Sequence, residues 1–155
     1  MSKVVIIMGS KADLEWSQKI AEASGNLGLE VVMRIASAHK VPLKCLDIIR
    51  EFEVEQVVFI TVAGRSNALS GFSDAQTHCP VIACPPYGDK FAGNDIYSSL
   101  RMPSGVAPMV VLEPANAALA AAKIFGLTNE VVRTKVSEFQ AAQRKKLDDD
   151  NQSLL

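Results

Sequence analysis

His39 is one of only two histidines in this 155-residue chain, and it lies in the segment Ile-Ala-Ser-Ala-His-Lys at residues 35–40. Histidine is the side chain whose ordinary pKa lies closest to neutrality, which makes it a common proton carrier in catalysis. The segment follows a strand-like run, Glu-Val-Val-Met-Arg-Ile, and precedes Pro42, where a helix can begin. His39 is therefore either an ordinary turn residue or a general acid and base.

The segment Gly-Ser-Lys-Ala-Asp at residues 9–13 has groups that suit an anion. A Gly-Ser turn that enters a helix presents backbone N–H groups and a hydroxyl at the positive end of the helix dipole. The segment lacks the patterns G-x-G-x-x-G and G-x-x-x-x-G-K-[ST], so neither a dinucleotide nor a nucleoside triphosphate is favoured. Two roles remain open for Ser10 and Asp13, which either cap the helix or bind a ligand.

A third candidate loop, Ala-Gly-Arg-Ser-Asn, spans residues 63–67. Gly64 permits a close approach of the backbone to a ligand, and Ser66 and Asn67 offer hydrogen bonds. Arg65 is either a planar cation that binds the ligand or a solvated surface charge.

Strands and helices alternate along the chain and must position these loops. Apolar β-rich runs predict strands at 3–8, 30–35, 56–63, 80–84 and 108–112. Helical spacing of apolar residues between and after them predicts helices with buried faces at Trp16, Ile20, Ala23 and Leu27, at Cys45, Ile48, Ile49 and Phe52, and at Val132, Val136 and Phe139. This order predicts a doubly wound α/β fold, a flavodoxin- or Rossmann-like three-layer sandwich around a parallel sheet of about five strands. Ligands bind beyond the carboxyl ends of such strands, where all three loops would meet.

The predicted domain covers residues 1–127, and a C-terminal helix in residues 128–155 packs on it or on a neighbouring subunit. We expect its polar end, Lys-Lys-Leu-Asp-Asp-Asp-Asn-Gln, to fray. Residues 85–105 interrupt the alternation with a long segment rich in proline and glycine, with one short helix near 94–100. Loops of this length in a compact domain are usually functional.

Composition excludes several classes of function. The net charge of −1 gives no electrostatic basis for binding nucleic acid or an anionic membrane. No apolar run is long enough for a signal peptide or a membrane span, so we expect a cytoplasmic protein. The odd set of cysteines, Cys45, Cys79 and Cys84, fits neither a disulfide framework nor zinc spacing, and we expect buried apolar side chains. Neighbouring polar residues, His78 and Asp74, are assigned structural roles.

Five stretches together resemble one known family: GSKADLEWSQKI, RIASAHK, ITVAGRSNALSG, VIACPP and DIYSSLRMPSGVAPMVVLEPANAALAAAKIFGL. They are similar to the aminoimidazole ribonucleotide carboxylases of purine biosynthesis over about residues 3–127. Class II of this family uses carbon dioxide directly, whereas the class I mutase moves a carboxylate from the N5-carboxylated ribonucleotide. The class I enzymes typically have Ser-Ala-His-Arg-Thr-Pro at this histidine. The motifs at 37–40, 63–67 and 98–105 resemble class II, with class I and a non-catalytic nucleotide-binding α/β module as the alternatives.

The resemblance also implies roles for individual residues. His39 would carry the proton, Ser10 would bind the phosphate, and Asp13 would bind the ribose hydroxyls. Lys40 would bind the new carboxylate or the phosphate, while Ser37, Gly64 and Ser66 would surround the base and the carbon dioxide. Further candidate contacts to the substrate are Gly9, Lys11, Ala63, Arg65, Asn67, Ser99 and Met102. The segment 85–105 would close over the pocket and exclude water from the labile carboxylate. The expected reaction is a reversible carboxylation with carbon dioxide as co-substrate and no metal, biotin or ATP, in a homo-octamer.

One position departs from the family pattern. The first loop of the family usually reads Gly-Ser-x-Ser-Asp, and here Ala12 stands in place of the second serine. A hydrogen bond of this kind contributes about 0.5–1.5 kcal/mol. We therefore expect weaker phosphate binding, offset in part by backbone N–H groups and Lys11, and an active protein.

Overall fold

The computed structural model describes residues 2–86, 88 and 91–155. Its strands are β1 (Lys3–Met8), β2 (Glu30–Ile35), β3 (Val58–Val62), β4 (Val81–Ala83) and β5 (Met109–Val110). Its α-helices are α1 (Leu14–Asn26), α2 (Pro42–Glu53), α3 (Ala68–Asp74), α4 (Tyr97–Leu100), α5 (Pro114–Phe125) and α6 (Glu130–Gln152), with 3-10 turns at Lys11–Asp13 and Asn94–Ile96.

The predicted fold class is confirmed, because the strands form one parallel sheet in the order β2-β1-β3-β4-β5 with helices on both faces. Alternate residues of β1 face opposite layers. Val4, Ile6 and Met8 belong to the apolar core shared with α1, α5 and α6, and Val5 and Ile7 to the core shared with α2 and α3. Burial on both faces explains why β1, β3 and β4 are nearly continuous apolar runs rather than alternating ones, whereas the edge strand β2 contains exposed residues.

Two of the three predicted helix faces are found as predicted, and the third is found in part, because Val132 and Val136 of α6 are buried whereas Phe139 is 40% exposed. Ile20 and Leu27 of the α1 face are buried in the first core, with Trp16 and Ala23 packed against it. The whole stripe of α2, from Cys45 to Phe52, is buried in the second core. Helix α1 ends before Gly28, whose φ of +80° is a conformation that glycine adopts without strain.

Two expectations differ from the structure. The strands predicted at 56–63, 80–84 and 108–112 are shorter, because only Val58–Val62, Val81–Ala83 and Met109–Val110 pair in the sheet. The C-terminal end predicted to fray is helical to Gln152, and an ion pair between Lys145 and Asp149 supports its exposed last turns. In the part of the chain that the structure describes, none of the helices has the length and apolar character that a membrane crossing requires.

Candidate active site

The strand order reverses direction between β1 and β3, and the loops of three strands meet there. Met8, the last residue of β1, pairs with Ile35 of β2 and with Val62 of β3, so the three following loops start at the same level. The N–H of Gly9 donates to the carbonyl oxygen of Val62 at 2.9 Å, which joins two of these loops directly. A switch point of this kind is where open parallel sheets bind their ligands.

A cavity of about 620 Å³ occupies this edge of the sheet. Its volume lies in the range of small-molecule sites, about 300–1,000 Å³. The described residues that line it come from the loops after β1, β2 and β3, from the start of α3 and from the segment after β4: Gly9, Ser10, Ala12, Asp13, Ser37, Ala38, His39, Ala63, Gly64, Arg65, Ser66, Ala68, Leu69, Pro86, Gly88, Phe91 and Asp95.

The loop after β1 forms a capping box at the start of the helical segment. The backbone N–H of Ser10 donates to Asp13 Oδ2 at 3.0 Å, and Ser10 Oγ accepts from the N–H of Ala12 at 3.3 Å. The capping role left open by the sequence is thus present, and both side chains also line the cavity. The helix begins at the cavity wall, so its N-terminal dipole favours an anion there.

The loop after β2 is a tight turn built on Ser37. Its carbonyl oxygen accepts from the N–H of Val41 at 2.8 Å, and its hydroxyl accepts from the N–H of Lys40 at 3.3 Å. The turn exposes His39 on the cavity wall. No residue that the structure describes forms a hydrogen bond or ion pair with the imidazole of His39, so both ring nitrogens are open to a ligand.

The loop after β3 packs tightly against the segment that follows β4. A Cβ added to Gly64 would lie 2.8 Å from the carbonyl oxygen of Pro86, so only glycine fits there without a shift of the backbone. Arg65 has a φ of +61°, the left-handed region, which costs a non-glycine residue on the order of 1–3 kcal/mol. Strain of this kind concentrates at functional sites, where surrounding contacts maintain it.

Those contacts come from residues 95–99. Asp95 Oδ2 accepts from the N–H of Arg65 at 3.3 Å, and Ser98 Oγ accepts from the N–H of Asn67 at 2.9 Å. The side-chain amide of Asn67 donates to Ser99 Oγ at 2.9 Å. The long segment after β4, predicted to close over the site, is therefore attached to the β3 loop over this part of its length. Tyr87, Asp89 and Lys90 lie outside the described residues.

The structure brings most of the predicted site residues together and leaves five outside. Those that line the cavity are Gly9, Ser10, Asp13, Ser37, His39, Ala63, Gly64, Arg65 and Ser66. Not among its described lining residues are Lys11, Lys40, Asn67, Ser99 and Met102.

Three of the residues outside the lining have structural contacts instead. Asn67 caps α3 by accepting from the N–H of Ser70 at 3.2 Å, and its amide binds the buried Ser99. Met102 packs against α3, since its Sδ would lie 2.9 Å from a Cβ on Gly71. The two lysines are exposed.

Several lining residues were not identified from the sequence, most importantly Asp95 and Phe91. Both belong to the segment 85–105, whose length and composition indicated function without indicating which side chains would face the cavity. Asp95 is contributed from a 3-10 turn whose position depends on contacts with the β3 loop. Phe91 is 58% exposed and presents an aromatic ring in a cavity lined largely by small residues.

The remaining candidates for chemistry are placed away from this cavity. All three cysteines are buried and free, and burial raises the pKa of the Cys84 thiol to about 11. Asp74 accepts from the N–H of Ala107 at 2.7 Å, and His78 lies before β4, at the other edge of the sheet. Within residues 2–86, 88 and 91–155, no group of three or more His, Cys, Asp or Glu side chains is arranged to hold a metal ion.

Comparisons with known proteins point to one family. The family model described as AIR carboxylase matches residues 3–146. The chain is 66% identical to a phosphoribosylaminoimidazole carboxylase of Archaeoglobus fulgidus, over 94% of this chain and 81% of that protein. It is 46% identical to a phosphoribosylaminoimidazole carboxylase of Treponema denticola, over 97% and 96% of the two chains. The crystal structure of Treponema denticola PurE matches the fold with a TM-score of 0.97 and 45% identity, over 99% of each chain.

Proposed function

Because this chain belongs to the AIR carboxylase family, we propose that it catalyses the reversible carboxylation of 5-aminoimidazole ribonucleotide (AIR) to 4-carboxy-AIR in de novo purine biosynthesis, with carbon dioxide as the carboxyl donor. One observation supports this assignment most directly. His39 stands exposed on the wall of a nucleotide-sized cavity whose other walls carry serine hydroxyls, backbone amides and carboxylates. That set suits an uncharged base, a sugar and a phosphate together.

The proposed reaction requires one proton carrier. AIR is a cyclic enamine, so its ring carbon attacks carbon dioxide unaided, and one C=O electron pair moves to oxygen to form the carboxylate. The ring carbon then bears both hydrogen and carboxylate. His39 accepts that hydrogen as a proton, and the C–H electron pair returns to the ring and restores its aromaticity. In the reverse direction, protonated His39 returns the proton to the same carbon and carbon dioxide leaves. General acid and base transfer of this kind contributes about 10²–10⁴-fold to a rate.

The proposed contacts follow the layout of the loops. The helical segment that begins after Ser10 favours the substrate phosphate, since its N-terminal end lies on the cavity wall and the helix dipole is positive there. Asp13 keeps one carboxylate oxygen, Oδ1, without a hydrogen bond to the described residues, and that oxygen can accept from a ribose hydroxyl. Ser37, Gly64 and Ser66 surround the base and carbon dioxide. Lys40, exposed beside His39, would approach the phosphate or the carboxylate from outside the present lining.

The choice of carbon dioxide over the N5-carboxylated ribonucleotide depends on the motif at residues 37–40. Ser-Ala-His-Lys resembles the carbon-dioxide-dependent form, whereas an arginine in place of Lys40 would resemble the mutase. Purified protein with AIR and saturating bicarbonate should form 4-carboxy-AIR without any N5-carboxylated substrate. Turnover with the N5-carboxylated substrate alone would assign the mutase, and binding of AIR without turnover on either substrate would assign a non-catalytic module.

The proposed carboxylation needs no metal, biotin or ATP, because the enamine carbon is already nucleophilic. Turnover should therefore continue in the presence of a metal chelator or of avidin. The protein is proposed to act in the cytoplasm as a homo-octamer, by resemblance to its family. Light scattering coupled to size exclusion would test the octamer, and a mass near that of the 16.7 kDa chain would contradict it.

A further inference from the structure

Asp95 lines the cavity, and only one of its two carboxylate oxygens has a hydrogen-bond partner among the described residues. Its Oδ2 accepts the N–H of Arg65 at 3.3 Å. Its Oδ1 is buried and has no hydrogen-bond partner among the described residues. A buried carboxylate oxygen without a partner is unfavourable for folding, so a side chain of this kind at a site calls for a functional explanation.

The hydrogen-bond donor to Asp95 is the backbone N–H of Arg65, the strained residue of the loop after β3. Arg65 has a left-handed φ of +61°. Asp95 holds its N–H, and Ser98 Oγ lies 3.2 Å from its carbonyl oxygen. Asp95 thus fixes the peptide group before the strained residue. The Ser98 hydroxyl, whose single proton is shared between the carbonyl oxygens of Asp95 at 2.8 Å and Arg65 at 3.2 Å, contacts the peptide group after it.

The strained residue separates two residues that line the cavity. Gly64 precedes it and Ser66 follows it. A change of Arg65 to a relaxed, right-handed conformation would redirect the chain on one side of it relative to the other. Gly64 and Ser66 could then no longer face the same cavity together.

We propose that Asp95 is a positioning residue for the carboxylation, an inference that rests on the proposed function. Its carboxylate holds Arg65 in the left-handed conformation and thereby sets Gly64 and Ser66 for binding the ribonucleotide. Asp95 acts through the loop backbone and does not exchange protons with the substrate. Loss of Asp95 should therefore raise KM more than it lowers kcat, because the loop contacts the bound substrate and the transition state equally.

The chain offers a matched control in Asp74. Its Oδ2 also accepts a backbone N–H, that of Ala107 at 2.7 Å, but outside the cavity lining. The experiment compares Asp95→Ala, Asp95→Asn and Asp74→Ala for KM and kcat with AIR, at a temperature well below each Tm. Because an amide oxygen can also accept the Arg65 N–H, Asp95→Asn should conserve the loop.

We expect Asp95→Ala to raise KM for AIR about tenfold while kcat stays within about threefold. Asp95→Asn should stay within about threefold of wild type, and Asp74→Ala should lower Tm with unchanged kinetics. The pH profile of kcat should have the same shape in Asp95→Ala as in wild type. Ser98→Ala, which removes the second contact to Arg65, should raise KM in the same direction and serves if Asp95→Ala does not fold.

Four results would overturn the inference: an unchanged KM in Asp95→Ala, equal impairment of Asp95→Asn and Asp95→Ala, an ionisation lost from the pH profile, or an equal rise of KM in Asp74→Ala. The second and third would mean that charge or proton transfer at Asp95 is what matters. Calorimetric Kd values for AIR separate this inference from the proposed function. If the wild-type protein binds AIR without carboxylating it, the proposed function is wrong. The Kd values of the wild type and the variants can still be compared to test the role of Asp95.

Discussion

The carbonyl oxygen of Pro86 lies so close to Gly64 that a Cβ on this glycine would approach it to 2.8 Å. The contact joins the loop after β3 to the segment after β4 through their backbones. Neither atom belongs to a flexible side chain, so neither can move aside without moving a cavity wall. The absence of a side chain at position 64 is therefore a requirement of the site's shape.

Gly64→Ala should impair both stability and substrate binding. We expect a loss of about 1–3 kcal/mol in the free energy of unfolding, the usual cost of overpacking, and a raised KM for AIR. Urea unfolding and steady-state kinetics measure the two effects. Gly25→Ala is the matched control, because a Cβ on that glycine of α1 meets nothing within 4 Å. It should stabilise the protein by up to about 1 kcal/mol, and an equal loss in both variants would contradict the steric argument.

His39→Asn should slow turnover strongly and leave the fold intact, because His39 is exposed and has no partner among the described residues that the fold would lose. We expect kcat to fall by about 10²–10⁴-fold, the contribution of general acid and base catalysis. The Kd for AIR, measured by calorimetry, should change little. His78→Asn provides the control, since His78 is exposed at the other edge of the sheet. Near-wild-type kcat in His39→Asn would mean that another group carries the proton.

Ala12→Ser should strengthen binding, because it returns the hydroxyl that the family usually has at this position. Ala12 is exposed and lines the cavity beside the capping box. The added hydrogen bond, about 0.5–1.5 kcal/mol, corresponds to a few-fold to tenfold lower KM for AIR. Ala12→Cys has nearly the same shape but a poor hydrogen-bonding group. A similar gain in Ala12→Cys would attribute the effect to shape and not to the hydroxyl.

The thiol of Cys84 should make stability depend on alkaline pH. Burial raises its pKa from the ordinary 9.0 to about 11, so the folded state retains a proton that the unfolded chain loses first. Its contribution is complete below about pH 9 and is lost as the pH rises through 11. The difference in unfolding free energy between wild type and Cys84→Ala should therefore shrink over that interval in urea titrations. A constant difference from pH 8 to 11 would show that the folded thiol titrates normally.

The sequence alone was sufficient to predict a parallel sheet with helices on both faces. The central strands are short apolar runs, and α1 and α2 have apolar stripes of period 3.6, because burial selects apolar residues on one face of each element. The same patterns placed His39, Ser10 and Gly64 after three parallel strands, and the sheet rule then put them at one edge. Strand lengths were less predictable, since residues such as Val57 and Cys84 are as deeply buried as the paired residues beside them.

Only the tertiary structure decided which side chains complete the cavity. Asp95 is far from Arg65 in sequence and has no local pattern of its own, so its contact with that backbone appears only when the chain has folded. Asn67 and Met102, which follow polar or irregular runs, turned out to hold α3 instead of lining the cavity. Sequence periodicity predicts which positions are buried, because one face of each helix or strand packs against the core and its residues recur at a fixed spacing. Which loop residue faces a cavity depends on non-local contacts, and these have no period in the sequence.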